Sequence, residues 1–138
     1  MASAARAIDT GRVAGRLVVA YNDSPSTRRA LGEALQRAAK SPPCEVIAVA
    51  VDKRGPTRAE DQPQPCEVWL READRHAREQ DQSIRTELRV GHPATEILQA
   101  ARDLDADLLI VGHSRWGTHS STLDTVLRHA PCPVLVIH

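Results

Sequence analysis

Short apolar runs alternate along the chain with segments whose apolar residues recur at helical spacing. A short run rich in Val, Ile and Leu is typical of a strand, whereas a spacing of three and four residues indicates a helix. Strands are predicted at 16–21, 44–52, 83–90, 107–112 and 134–137, and helices at 27–41, 66–82, 94–104 and 122–129. This alternation predicts an α/β domain with a parallel sheet, right-handed crossovers and helices on both faces.

The apolar pattern differs between strands. Residues 44–52 form a near-continuous apolar run, which is typical of a strand covered on both faces. In 83–90 the apolar residues Ile84, Leu88 and Val90 alternate with polar ones, so that strand is expected to have one wetter face. Residues 1–15 show no sustained periodicity and are expected to be a flexible leader to a single domain over 16–138.

A parallel sheet of this kind binds ligands beyond the carboxyl ends of its strands, at the point where the strand order reverses. A binding site is therefore expected among the residues that follow the strands. These are residues 22–26, 52–53, 91–92 and 112–122.

Composition excludes several classes of partner. The 138 residues carry 18 Lys+Arg and 18 Asp+Glu, so no net charge attracts nucleic acid or an anionic membrane. Aromatic residues make up 2% of the chain, too few for a stacking platform for single-stranded bases. Apolar runs are about six residues long, against the roughly 20 that a bilayer requires. We expect a cytoplasmic protein that binds neither nucleic acid nor membranes.

The three cysteines, Cys44, Cys66 and Cys132, are an odd number and include no CxxC pair. That count fits neither a disulfide framework nor a zinc site. We interpret them as reduced thiols, with Cys132 in or beside the core.

Three separated segments carry a family resemblance. They are Val-Gly-x-Pro-Ala-x-x-Ile at 90–97, Ala-Asp-Leu-Leu-Ile-Val-Gly at 106–112 and Leu-Arg-His-Ala-Pro-Cys-Pro-Val at 127–134. Together with residues 16–31, they resemble the universal stress protein family over 16–138. The resemblance implies a flavodoxin-like (Rossmann-like) three-layer sandwich with a five-stranded parallel sheet in the order 3-2-1-4-5. It also implies a homodimer that pairs through the last strand, Val134–Ile137.

One branch of that family binds ATP through the pattern Gly-x2-Gly-x9-Gly-(Ser/Thr) after the fourth strand. Gly112 matches the first glycine, but Arg115 stands at the second, with Gly117 two residues later. Ser120 takes the place of the third glycine and Ser121 that of the hydroxyl residue. The spacing from Gly112 to Ser120 is eight residues where the pattern has thirteen, so the loop is about five residues short.

The first strand departs from the pattern as well. Asn22 stands where the ATP-binding branch has Asp, and Asp23 stands where it usually has Gly. An amide still offers a donor and an acceptor to adenine or ribose. A carboxylate at 23 is expected to repel phosphates unless it holds a metal ion, whereas Arg115 attracts them. The nucleotide-binding positions implied by the resemblance are Asn22, Asp23, Ser24, Val51, Gly112, Arg115, Gly117, Ser120, Ser121 and Thr122.

Some of these residues also have a purely structural explanation. Residues 121–124 have the form of a capping box with Ser121 as the cap, and 22–26 form a strand-to-helix turn with Ser24 or Ser26 as the cap. His113 and His119 share a loop without a third ligand, so no metal site is predicted. Trp116, in the same loop, is interpreted as a lid over a base or a dimer contact.

Three functions remain open. The first is a non-enzymatic stress-response protein whose degenerate crevice binds an adenine nucleotide weakly or not at all. The second is an ATP-binding protein that uses Mg²⁺ and hydrolyses ATP slowly through Asn22, Gly112, Arg115, Ser120 and Ser121. The third is a dimeric protein-interaction module. No arrangement of Ser/His/Asp or Cys/His falls into one site, so no catalytic residues are predicted.

Overall fold

The protein forms one five-stranded parallel sheet in the order β3-β2-β1-β4-β5. In the computed structural model, residues 15–53, 65–113 and 121–138 are described. The strands are β1 (Gly15–Ala20), β2 (Cys44–Asp52), β3 (Arg85–Val90), β4 (Leu108–Gly112) and β5 (Val134–Ile137). The helices are α1 (Pro25–Lys40), α2 (Pro65–Glu79), α3 (Pro93–Asp103) and α4 (Ser121–His129). The predicted fold class and strand order are confirmed.

Two apolar clusters, one on each face of the sheet, make the three layers. Residues of α1 and α2 such as Leu31 and Leu70 pack on one face of β1 and β2. Residues of α3 and α4 such as Leu98 and Val126 pack on the other face. All residues from 46 to 50 are buried, as the unbroken apolar run predicts for a strand covered on both sides.

The largest difference from the predicted bounds is at the end of α2, and the starts of α1 and β3 each differ by two residues. Helix α1 begins at Pro25, two residues earlier than predicted, because Ser24 caps it and proline suits the first helical position. Helix α2 ends at Glu79, three residues earlier than predicted. It ends there because Asp81 adopts a left-handed backbone with φ of 57°, and the Gln82 N–H turns back to the Ala77 carbonyl at 2.9 Å.

The edge strand β3 corrects one expectation. Leu88 and Val90, expected on its drier face, are 39% and 53% exposed. The Arg89 side chain between them is only 18% exposed, because it pairs with Glu96 of α3 at 2.9 Å and with Asp103 at 3.3 Å. Ion pairs with the neighbouring helix therefore cover the polar face of the strand more completely than the apolar one.

The three cysteines are reduced thiols, as interpreted from the sequence. Cys66 is buried, and Cys132 packs against the cluster formed with α3 and α4. Burial raises the pKa of the Cys132 thiol, which favours its neutral form. No helix in the described ranges has the length and apolar character that crossing a bilayer requires.

Candidate functional site

A pocket of about 300 Å³ lies at the carboxyl end of the sheet, where the connections from β1 and β4 diverge. We call it the strand-end pocket. Its lining from the strands is Ala20, Val49, Val51, Val111 and Gly112. Its lining from the helices includes Thr27, Trp69, Pro93, Ile97, Thr122, Leu123 and Val126, and Tyr21, Asn22 and Lys53 complete it. The pocket is where the strand order predicts a ligand site, and its walls are mainly aliphatic.

The turn from β1 into α1 is held by a network centred on Thr27. The Thr27 hydroxyl donates to Asn22 Oδ1 at 3.1 Å, and Asn22 Oδ1 also accepts from the Ser24 N–H at 3.1 Å. Ser24 Oγ accepts from the Thr27 N–H at 3.3 Å and completes a capping box. Of the predicted site residues, Ser24 is thus the helix cap, and Asn22 lines the pocket with its oxygen already engaged.

Asp23 is not among the residues that line the pocket. Its backbone φ is 62°, a left-handed conformation that Gly, Asn and Asp tolerate best. Its Oδ1 accepts from the Tyr21 hydroxyl and from Arg28 Nε, each at 3.1 Å. We predicted from the sequence that this carboxylate repels phosphates unless it holds a metal ion. That prediction did not include Arg28, whose positive charge offsets the negative charge of the carboxylate.

Tyr21 donates a hydrogen bond to Asp23 in the same turn. Its side chain is 4% exposed, and burial, followed by the hydrogen bond and charge of Asp23, raises its pKa to about 12. Removing its proton would leave a buried phenolate next to a carboxylate, so the neutral hydroxyl is stabilised as the donor to Asp23.

Gly112 has a packing role that requires no phosphate. A Cβ atom built on it would lie 2.6 Å from Ser26 Oγ and 2.8 Å from the Thr27 backbone nitrogen. The end of β4 therefore touches the first turn of α1, and only a residue without a side chain permits that approach.

Val51 presents free main-chain groups to the pocket. The register of β1 on β2 ends with Ala20 opposite Val49, and the Tyr21 N–H donates to the Val49 carbonyl at 2.8 Å. Alternate residues of a parallel strand direct their N–H and C=O groups to the same neighbour, so those of Val51 face beyond the end of β1. Neither group has a hydrogen-bond partner among the described residues.

The start of α4 differs from the prediction. Ser121 is the first helical residue instead of the residue preceding the helix, so it does not occupy the cap position. Thr122 lines the pocket. The predicted residues Arg115, Gly117 and Ser120 lie outside the described ranges, as do Trp116 and His119.

His113 follows Gly112 directly. Its backbone N–H donates to the Ile137 carbonyl at 2.7 Å, and its ring meets that of His138 edge to face at 5.1 Å. Its Nδ1 atom is buried and has no hydrogen-bond partner within the described part of the chain. In the described ranges, no group of three or more His, Cys, Asp or Glu side chains is placed to hold a metal ion.

Most of the pocket lining was not among the predicted site residues, and Thr27 and Trp69 are two such residues from helices. Thr27 was expected only within helix α1, and Trp69 in the buried stripe of α2. The position of Trp69 near the pocket could have been predicted from the order of strands and helices along the chain. A crossover helix begins beside the carboxyl end of the strand that precedes it. A residue in the second turn of α2 therefore lies near the end of β2.

The geometry agrees with a family comparison. A model of the universal stress protein family matches residues 14–138. This chain belongs to the universal stress protein family. No curated protein matches it significantly.

Solved universal stress protein structures share the fold. A universal stress protein in complex with cAMP is 28% identical, covers 90% of this chain and 96% of its own, and has a TM-score of 0.72. A family member from Burkholderia pseudomallei is 26% identical over 89% of this chain and 95% of its own, with a TM-score of 0.66. One from Archaeoglobus fulgidus is 21% identical over 89% and 92%, with a TM-score of 0.75.

Proposed function

We propose that this protein is a non-enzymatic stress-response protein whose strand-end pocket binds an adenine nucleotide, and that it binds ATP only weakly. The observation that carries the proposal is that the N–H and C=O of Val51, at the edge of a mainly aliphatic pocket, have no hydrogen-bond partner among the residues that the structure describes. Adenine offers the complementary pair, an amino donor beside a ring-nitrogen acceptor. The complex of the 28% identical relative with cAMP supports an adenine ligand.

The residues at the ends of β1 and β4 and at the start of α4, where a phosphate chain would lie, support weak binding of ATP. Asp23 pairs with Arg28 and Ser24 caps α1, so neither of these side chains is available to a phosphate chain, and Gly112 packs closely against the first turn of α1. The Ser121 and Thr122 hydroxyls remain at the first turn of α4, where the helix dipole favours an anion. One helix turn suits a single phosphate group better than a chain of three, and the shortened loop after Gly112 favours the same ligand.

Isothermal titration calorimetry with AMP, cAMP and ATP, each with and without Mg²⁺, tests the proposal. We expect AMP and cAMP to bind more tightly than ATP, and Mg²⁺ to have little effect. The absence of heat with every nucleotide at millimolar concentration would refute adenine binding. Tighter binding of ATP with Mg²⁺ than of AMP would instead favour an ATP-binding protein with slow hydrolysis.

Val51→Pro tests the main-chain contact itself. Proline removes the N–H that faces the pocket. It leaves the hydrogen bonds to β3 intact, because those use the alternate residues of β2. Asp52 is one of them, and its carbonyl accepts from the Gly91 N–H at 3.0 Å. We expect AMP affinity to fall by about 1–2 kcal/mol, roughly five- to thirtyfold. Val51→Ala keeps the N–H and is the matched control, with affinity expected within about twofold of the wild type.

We also propose that β5 pairs with β5 of a second copy. Strand β5 is the last strand of the sheet order, so in residues 15–53, 65–113 and 121–138 no strand pairs with its outer edge, and all four of its side chains are partly exposed. An open edge that carries apolar residues is a template for strand pairing. Sedimentation equilibrium should show a dimer, and a monomer at high protein concentration would refute this proposal.

A further inference from the structure

One end of the strand-end pocket is bounded by helices from both faces of the sheet. Trp69 of α2 comes from one face, and Pro93 and Ile97 of α3 come from the other. The main-chain N–H and C=O of Val51, which no described residue pairs with, lie between these walls at the end of β2. A flat group that hydrogen-bonds to Val51 therefore enters a slot between an indole on one side and an aliphatic wall on the other.

Trp69 is held firmly enough to form such a wall. It is partly buried and packs against the cluster under α1 and α2. Its neighbour Leu70 is 7% exposed, and Ala73, one turn further on, is fully buried. The helix that carries the indole is therefore anchored to the sheet, which limits the movement of the ring toward or away from the pocket.

Phosphate would occupy the opposite end of the pocket. Thr122, at the start of α4, and Gly112, at the end of β4, line that end. A nucleotide with its phosphate at α4 points its base toward β2. The base would then reach Val51 with its hydrogen-bonding edge and Trp69 with its face.

We infer that Trp69 is the stacking platform for the base and that it sets affinity for the nucleoside part of the ligand. This inference rests on the proposed function. Stacking of a base on an aromatic ring is comparable in strength to a hydrogen bond and tolerates any base, because every base has a π face. Trp69 thus supplies affinity, and Val51 supplies the choice of adenine.

Calorimetry with AMP on Trp69 variants tests the inference. Trp69→Leu keeps apolar bulk without a ring, and AMP affinity is expected to fall about tenfold or more. Trp69→Phe keeps a smaller ring, and the loss is expected to stay within about threefold. Val68→Ala changes the adjacent residue, which is 38% exposed and does not line the pocket, so its affinity should equal that of the wild type.

Fluorescence supplies a direct readout of stacking. The chain has two tryptophans, so Trp116→Phe leaves Trp69 as the single indole. AMP should change Trp69 emission with the dissociation constant found by calorimetry on the same variant. Ribose 5-phosphate, which has no base, should leave the emission unchanged at the same concentration.

The outcomes distinguish the stacking role of Trp69 from the proposed binding of an adenine nucleotide. AMP binding to the wild type with equal affinity for Trp69→Leu would overturn the stacking role and leave adenine binding intact. Unchanged Trp69 emission at saturating AMP would overturn it too. No binding of AMP or cAMP to the wild type would overturn both.

Discussion

Gly112→Ala tests whether this glycine is present for packing. The added Cβ would lie 2.6 Å from Ser26 Oγ and 2.8 Å from both the Ser26 carbonyl carbon and the Thr27 backbone nitrogen. The hydroxyl can rotate away, but the two backbone atoms move only if β4 and α1 separate. Overpacking of this kind costs about 1–3 kcal/mol of unfolding free energy. For a domain of this size, that corresponds to a fall in Tm of about 3–12 °C.

A second glycine supplies a control with the opposite sign. Gly32 lies inside α1, and a Cβ atom there would meet nothing within 4 Å. Gly32→Ala should raise the unfolding free energy by about 0.5–1 kcal/mol, because alanine loses less backbone entropy in a helix.

Urea denaturation and calorimetric Tm, measured without ligand, compare the two variants with the wild type. A Gly112→Ala protein as stable as the wild type would refute the packing role and return the glycine to phosphate binding. Equal destabilisation by Gly32→Ala would show that the change reflects any added methyl group, not the contact between β4 and α1.

Two further predictions concern Tyr21 and β5. Tyr21 is the single tyrosine, so its ionisation near 295 nm should occur at a pKa of about 12, and Asp23→Asn should lower that value. Because the folded pKa lies above the ordinary value of 10, the stabilisation is complete below pH 10 and is lost as the pH rises toward 12. Titration at pH 10 in folded protein would refute the buried hydrogen bond. For the dimer, the Pro133 and Ile137 carbonyls face β4, so the N–H of Val136, at the alternate position, faces the outer edge of β5. Val136→Pro removes that N–H and should give a monomer, whereas Val136→Ala keeps it and should stay dimeric. A dimeric Val136→Pro protein would refute pairing through β5.

The sequence predicted the layout well because its signals are local. Apolar periodicity located all nine helices and strands of the described ranges, and the family resemblance supplied the strand order that the structure confirms. Alternation in β3 identified which residues share a face. It did not identify the better covered face, because that depends on Arg89 meeting Glu96 and Asp103 of α3.

The site was harder to predict because its properties depend on contacts across the fold. Asp23 looked repulsive to phosphate until Arg28, five residues later, was seen to pair with it. Gly112 matches the phosphate pattern in the sequence, and only the structure shows that contact with α1 also requires a glycine there. Trp69 falls in the apolar stripe of α2, and periodicity does not show whether such a residue lies over the sheet or at its end.

The extension of β2 past the end of β1 has an evolutionary consequence. In the proposed function, the Val51 backbone would recognise the base whichever side chain occupies that position, because most substitutions there leave its N–H and C=O unchanged. The proposed phosphate end relies instead on the Ser121 and Thr122 hydroxyls, which single substitutions remove. Selection can thus alter the number of phosphates that a descendant holds while its preference for one base persists.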